Sequence, residues 1–350
     1  MNICVIFTGG TISSSEKNGY LGPDKANNYR LINEYRKHNP EKCADISFRT
    51  AEPYYILSEN LTGTHINLLA DCIDKAASSD DCDGIIVTHG TDTLQYTAAG
   101  LSYIYSASDI PIVLISSNYI LDDSRANGYD NFSAAVDFIM TCHKALKNAT
   151  ASTENNFPNN TVAKHSGVYV AYKNENEPAI IHYGARLLAH MSYSDTIYSV
   201  DNLTAAGIGM KEPYKIQKSD TEFIFGEKPR FSEQSPVAFI RPYPGEKYAL
   251  VPEYVRAILL DTYHSGTLCT DSSALRDMLF DANKRTIPVF LTGAENRTAY
   301  ESTKIYDELK ITVLPKASPI AMYMKLWLLA STGCDTISKY MNTPVSFDII

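Results

Sequence analysis

Two short apolar runs, residues 3–7 and 84–87, each give way at once to a loop of glycine and threonine. The first run leads into Thr8-Gly9-Gly10-Thr11-Ile12, the second, through Thr88, into His89-Gly90-Thr91-Asp92-Thr93. Runs this short and this apolar suit strands covered on both faces, as in a parallel α/β sheet. Such a sheet presents its reactive side chains on loops at the carboxyl ends of its strands. Here both loops carry threonine, and one adds a carboxylate.

The same alternation continues along the chain. Strands are expected at 3–7, 54–57, 85–88, 112–115, 168–171 and 179–182. Helices are expected at 64–77, 93–106 and 131–145, where apolar residues recur at helical spacing. The polar stretch 147–164 reads as a surface loop. From 203 to 234 the period fades, and a second series begins. It has strands at 237–241, 257–260, 288–291 and 311–314, and helices around 275–282, 302–309, 322–330 and 337–341. Asp271 or Ser272 stands at the cap position of the first of these helices. The expected fold is α/β: a larger N-terminal domain (1–203) with a mostly parallel sheet, a linker (204–234), and a smaller C-terminal α/β domain (235–350).

The net charge of −9 argues against a nucleic-acid partner, because a phosphate backbone calls for a basic face. It leaves room for a small anionic substrate, which needs only local donors. No run approaches the roughly 20 apolar residues that span a bilayer, so no membrane partner is expected. The N-terminus has neither a basic n-region nor an apolar h-region. The seven scattered cysteines contain no C-x-x-C pair. A cytoplasmic protein with reduced thiols and no metal or cofactor is expected.

A threonine hydroxyl is a weak nucleophile until a base takes its proton or a cation lowers its pKa. Thr11 and Thr91 supply the hydroxyls and Asp92 a carboxylate. Tyr20, after the turn-like Lys17-Asn18-Gly19, supplies a phenol on a loop that can approach Thr11. Gly10 and Gly90 let the backbone close on a ligand, so that its N–H groups can hold an oxyanion. The plain alternatives are a phosphate-cradling turn and a helix cap. The first loop lacks the G-x-G-x-x-G spacing and the P-loop lysine, which also disfavours a dinucleotide oxidoreductase. In the second loop Thr91 or Asp92 can cap a helix starting at Thr93.

In their order and strand context the two loops resemble the paired signature motifs of the bacterial-type L-asparaginase family. Ser58-Glu59-Asn60-Leu61-Thr62 resembles that family's substrate-binding segment, and Ala126-Asn127-Gly128-Tyr129-Asp130-Asn131 its Ala-Asp-Gly loop. The resemblance implies an amidohydrolase converting L-asparagine to aspartate and ammonia without a cofactor. It also implies a homodimer or homotetramer with sites between subunits. Thr11 would form the acyl-enzyme with Tyr20 as loop partner. Thr91 and Asp92 would form the second polar cluster, the Thr91 N–H facing the oxyanion and Asp92 the substrate ammonium. Ser58 and Glu59 would hold the α-carboxylate and α-amine.

Three positions depart from the family pattern. Its usual lysine falls on Ala189 or His190 in Gly184-Ala185-Arg186-Leu187-Leu188-Ala189-His190. Thr267 stands in place of an Asn in Thr262-Tyr263-His264-Ser265-Gly266-Thr267, and Ile320 in place of a Glu. A protonated His190 can substitute for the lysine beside Asp92; the plain alternative is an ordinary surface or hydrogen-bonded histidine. His264 and Thr267, at an expected strand end, can reach a ligand. The alternative function is a protein of this fold that binds an amino acid such as aspartate with weak or altered turnover.

Overall fold

The computed structural model describes residues 1–24, 26–79, 81–151, 167–202, 204–205, 225, 228–294, 300–333 and 336–350. The chain opens with β1 (Asn2–Phe7), a hairpin of β2 (Ser14–Lys17) and β3 (Tyr20–Pro23), then α1 (Ala26–His38), α2 (Pro40–Cys43) and β4 (Ser47–Ala51). It continues through α3 (Gly63–Ala77), β5 (Gly84–Thr88), α4 (Leu94–Ile104), β6 (Pro111–Ile115), α5 (Gly128–Ala151), β7 (Gly167–Lys173) and β8 (Ala179–Tyr183). The second series is β9 (Val237–Ile240), β10 (Ala257–Leu260), α6 (Ser273–Lys284), β11 (Val289–Leu291), β12 (Ile311–Val313), α7 (Pro319–Ser331) and α8 (Ile337–Met341).

The larger sheet has the order β4-β1-β5-β6-β7-β8. Its first five strands are parallel and β8 runs antiparallel to β7. The smaller sheet, β12-β11-β10-β9, is all parallel. Both match the expected α/β class.

Side-chain alternation sorts the large sheet's residues onto two faces. Ile3, Val5, Phe7, Ile86, Val113 and Ile115 pack with Leu31 and Tyr35 of α1 and Phe132, Val136 and Ile139 of α5. Ile6, Ile85, Val87 and Leu114 face the other way, onto Ile66, Leu69 and Ile73 of α3 and Leu94, Ala98 and Leu101 of α4. That second core continues without a break through α7 to Ala257, Leu259 and Phe290 of the small sheet. The far face of the small sheet packs on α6 through Leu275, Met278 and Leu279.

Three expectations meet a different structure. Residues 54–57 are not a strand of the sheet; they make one isolated bridge, Gly9 to Ile56. The edge strand is β4 instead, whose sequence SFRTA is too polar and exposed to stand out as an apolar run. Over 302–309 only a single 3-10 turn, Glu301–Thr303, forms. Residues 147–151 extend α5, while most of the expected 147–164 loop lies outside the described residues, as does most of the expected linker. Of the two candidate caps for α6, Ser272 takes the position and accepts from the Leu275 N–H.

Candidate functional site

The strand order explains where a site forms. From β1 the chain moves outward to β4, then crosses back to place β5 on the other side of β1. Connections therefore leave β1 and β5 in opposite directions and open a crevice at their carboxyl ends, the usual ligand position in an open α/β sheet. Both threonine loops emerge there.

Three glycine contacts lock the loops together. Gly9 has φ 105, and a Cβ on it would lie 2.2 Å from the Ile56 carbonyl oxygen. Residues 8–10 are zipped to the 54–57 segment by Gly10 N–H to Ile56 O (3.1 Å) and Ile56 N–H to Thr8 O (3.1 Å). That pairing delivers Ser58 to the crevice, so the segment expected as a strand serves as a support. A Cβ on Gly10 would lie 2.5 Å from the Gly90 backbone, and one on Gly90 would lie 2.3 Å from Ser58 Oγ. Gly10, Gly90 and buried Ser58 thus form one seam, with Thr11 and Thr91 immediately beyond it in their loops. The Thr8 hydroxyl closes the seam from below, donating to Thr88 O at 2.7 Å.

Thr11 is half-buried and opens a 3-10 turn, Thr11–Ser13. The β2–β3 hairpin follows, anchored at its base by Ser14 Oγ donating to Gly10 O (2.8 Å) and Tyr55 OH donating to Ser13 O (2.7 Å). Asn18 (φ 56) and Gly19 (φ 80) form its two-residue turn, both left-handed as such hairpins require. Tyr20 pairs with Lys17 at the tip and is 81% exposed. It stands three register steps from the Ser14–Pro23 base, about 10 Å at the usual rise per residue. Tyr20 therefore stands at the solvent-exposed tip of the hairpin rather than in a packed site.

In the second loop, α4 begins at Leu94 and its N-cap residue is Thr93. The Thr93 hydroxyl donates to Ser58 O at 2.9 Å. Neither Thr91 nor Asp92 caps the helix, which removes the plain structural explanation for both. Thr91 is half-buried, while Asp92 and Glu59 are exposed at the crevice mouth. Gln95 steadies the turn, donating to Asp92 O at 3.1 Å.

Behind the loop lies His89, 2% exposed. Its Nδ1 is 2.9 Å from Gly90 O and its Nε2 is 2.9 Å from Thr97 Oγ1. Burial pushes its pKa down to about 4, slightly opposed by the Gly90 carbonyl and by Asp92. Ser116, just past β6, donates to His89 O at 2.8 Å, and Asn131 donates to Ser116 O at 2.9 Å. Sequence reasoning passed over His89, Thr97 and Ser116. Their signal was positional, since two sit at strand ends and the third lies one helical turn into α4.

His190 lies on a ribbon that leaves β8 and turns back. Leu187 bridges Ser199, and the Leu188 N–H donates to Tyr198 O at 2.9 Å. Asp195, at its far end, accepts from Tyr119 OH (3.1 Å) and, on its carbonyl, from Tyr172 OH (3.1 Å). The ribbon therefore rises to the carboxyl ends of β6 and β7, the side of the sheet that carries the crevice. Among the described residues, His190 Nε2 is buried without a hydrogen-bond partner. His264 and Thr267 sit in a closed loop after β10 of the small sheet, where Tyr263 N–H donates to Thr267 O (3.0 Å) and Ser265 Oγ lies 3.1 Å from Thr267 Oγ1. They belong to the strand ends of the small sheet. Ile320 is buried in α7.

The seam offers two hydroxyls, closely packed glycine backbone and an acidic mouth, a set suited to adding a hydroxyl to an amide carbonyl of a small zwitterion. The family model described as Asparaginase, N-terminal matches residues 2–192. A glutamyl-tRNA(Gln) amidotransferase subunit of Methanosphaera stadtmanae is 26% identical over 355 residues, spanning 97% of this chain and 74% of its own. Its counterpart of the same name in Methanobrevibacter smithii is 26% identical over 361 residues, spanning 99% and 76%. Among solved structures, the thermostable L-asparaginase from Thermococcus kodakarensis matches with a TM-score of 0.72 at 21% identity, covering 100% of this chain and 99% of that one. L-asparaginase I from Vibrio cholerae matches with 0.71 at 21%, again over 100% and 99%. At that identity the two structures establish a common fold. The family match runs over more than half of the 350 residues, and this chain belongs to the asparaginase family.

Proposed function

We propose that this protein is an amidohydrolase that releases ammonia from L-asparagine through an acyl-enzyme on Thr11. The observation that carries the reading is the Gly10–Gly90–Ser58 seam, which brings both threonine loops and Ser58 together at one end of the sheet. Thr11 Oγ adds to the side-chain amide carbon, and the oxyanion so formed faces the Thr91 N–H. The C–N bond breaks, and the proton from Thr11 leaves on ammonia. Water then opens the ester to give aspartate and regenerate Thr11. Tyr20 reaches the hydroxyl when the hairpin folds inward. Asp92 and Glu59 receive the α-ammonium and Ser58 the α-carboxylate, with charge-assisted bonds at the mouth. A second copy covers that exposed mouth in a homo-oligomer. Among the described residues no helix is long and apolar enough to cross a membrane, which is compatible with a cytoplasmic site of action.

Ammonia release from L-asparagine, L-glutamine and a small amide panel is the test. Thr11→Ala should abolish turnover and Thr11→Ser retain part of it. A folded protein that binds aspartate by calorimetry yet releases no ammonia from any amide is a binding protein on this fold, and the hydrolase reading fails.

A second reading rests on the relatives' name. Proteins named as glutamyl-tRNA(Gln) amidotransferase subunits align with 97% and 99% of this chain. In that reading the ammonia serves amidation of a tRNA-borne glutamate, which sets aside the sequence expectation of no nucleic-acid partner. The net charge of −9 favours a partner protein, rather than this chain, as the tRNA's contact. Glutaminyl-tRNA formation on adding this protein to partner subunits would support it.

A further inference from the structure

We propose that His89 is a positioning residue, a fixed neutral imidazole that aims the Thr91 N–H by gripping the Gly90 carbonyl. The inference rests on the reading above, in which that N–H faces the oxyanion. Its support is geometric. Gly90 O can only accept, so the 2.9 Å contact requires the proton on Nδ1. In the neutral ring that burial favours, Nε2 is then the acceptor and the Thr97 hydroxyl at 2.9 Å its donor. Thr97 is 0% exposed and fixed in α4. The protein thereby selects one tautomer.

The grip matters because of the residue it holds. A peptide unit is planar, so the Gly90 C=O and the Thr91 N–H point in opposite directions. Holding the oxygen end on His89 turns the N–H end away from the ring. Glycine would otherwise allow this peptide to rotate more readily than any other residue. Gly10 and Ser58 pack against Gly90 and block the space a rotation would need. His89 itself is bolted to β6 at both backbone groups, its N–H donating to Ile115 O (2.8 Å) and its C=O accepting from Ser116 (2.8 Å). The chain of constraint runs from the β6 end to His89, then to the Gly90 carbonyl and the Thr91 N–H. Preorganised donors of this kind act in the transition state without reorganisation. Burial lowers the ring's pKa to about 4, so it carries no proton to or from substrate near neutral pH.

Two variants separate this role from simple packing. His89→Asn places an amide nitrogen near the Nδ1 position, and His89→Leu fills the volume without a donor. With ammonia release as readout, His89→Leu should lower kcat about 10²–10³-fold with KM little changed. His89→Asn should recover most of that loss, and the acidic limb of its pH–rate profile should stay where the wild type has it. Equal losses in both variants, or a KM rise at constant kcat, overturn the proposal. The second readout needs no turnover. Nitrogen NMR of the wild type should show His89 neutral and protonated on Nδ1 from pH 6 to 8. The Thr91 amide should give one resonance in wild type and His89→Asn, and broaden or split in His89→Leu. An Nε2-protonated or charged ring, or an unchanged Thr91 amide in His89→Leu, overturns it. If wild type releases no ammonia, the hydrolase reading fails alone and the NMR result decides the grip.

Discussion

Gly10 decides whether the seam exists. Its φ of 75 and ψ of 179 lie in a region that only glycine occupies without strain. A Cβ there would also lie 2.5 Å from the Cα and N of Gly90, and neither atom can yield without moving the second loop. Gly10→Ala should therefore cost about 2–4 kcal/mol of stability and at least ten-fold in kcat/KM, measured by urea unfolding and ammonia release. A variant with wild-type stability would show that the loops tolerate separation, against the seam. The sequence alone made Gly10 visible, since two glycines before a threonine at a strand end invite close approach. What it hid was the target. The residue that Gly10 approaches is another glycine 80 positions away, and only the placement of β5 beside β1 makes them neighbours.

At the scale of elements, strands carrying an apolar run were legible, β8, β9 and β12 at the sheet edges among them, and the polar edge strand β4 was not. The runs that became β1, β5, β6 and β10 are apolar throughout, and the observed spans follow them closely. β4 escaped because an edge strand with burial on few positions carries no apolar run. The β2–β3 hairpin escaped although Asn18-Gly19 is a strong turn signal, because β2 is polar throughout and β3 ends in Gly22-Pro23, so neither reads as an alternating strand. That hairpin is also the element whose position least resembles a finished site, since it holds the Tyr20 phenol in solvent. If the arm folds in during turnover, Tyr20→Phe should lower kcat about 10²-fold, the size of a lost general acid–base partner, with little change in KM. An unchanged kcat would remove Tyr20 from the mechanism and leave the hairpin as a lid at most.

The whole molecule is held together by one continuous core between the two sheets, and an ion pair is buried inside it. Lys325, in α7, and Asp348, near the chain end, are each 0% exposed and 2.8 Å apart. The sequence marks the anomaly, a lone lysine among Met322, Tyr323, Met324, Leu326, Trp327 and Leu328, but not its partner. Every strong acceptor of Asp348 is used. Oδ2 takes Lys325 and Tyr103 OH (3.2 Å), the latter from α4 in the large-sheet layer. Oδ1 takes the N–H groups of Val345 and Ile349, both at 2.8 Å. Lys325 also donates to Thr343 O at 2.6 Å. The network ties α4, α7 and the final segment to one another, which matters for the site because α4 carries Thr97 and begins at the Thr91 loop. Removing one member of a fully buried pair leaves an uncompensated charge, at a cost of about 3–5 kcal/mol. Lys325→Met should lose that much in urea unfolding. Lys325→Met with Asp348→Asn removes both charges while keeping an oxygen for the Val345 and Ile349 N–H groups, and should lose clearly less than the single variant. The cycle should then give a coupling of about 1–3 kcal/mol. Additive losses would mean that the charges are solvated in solution, and the pair would not be the tie between the layers.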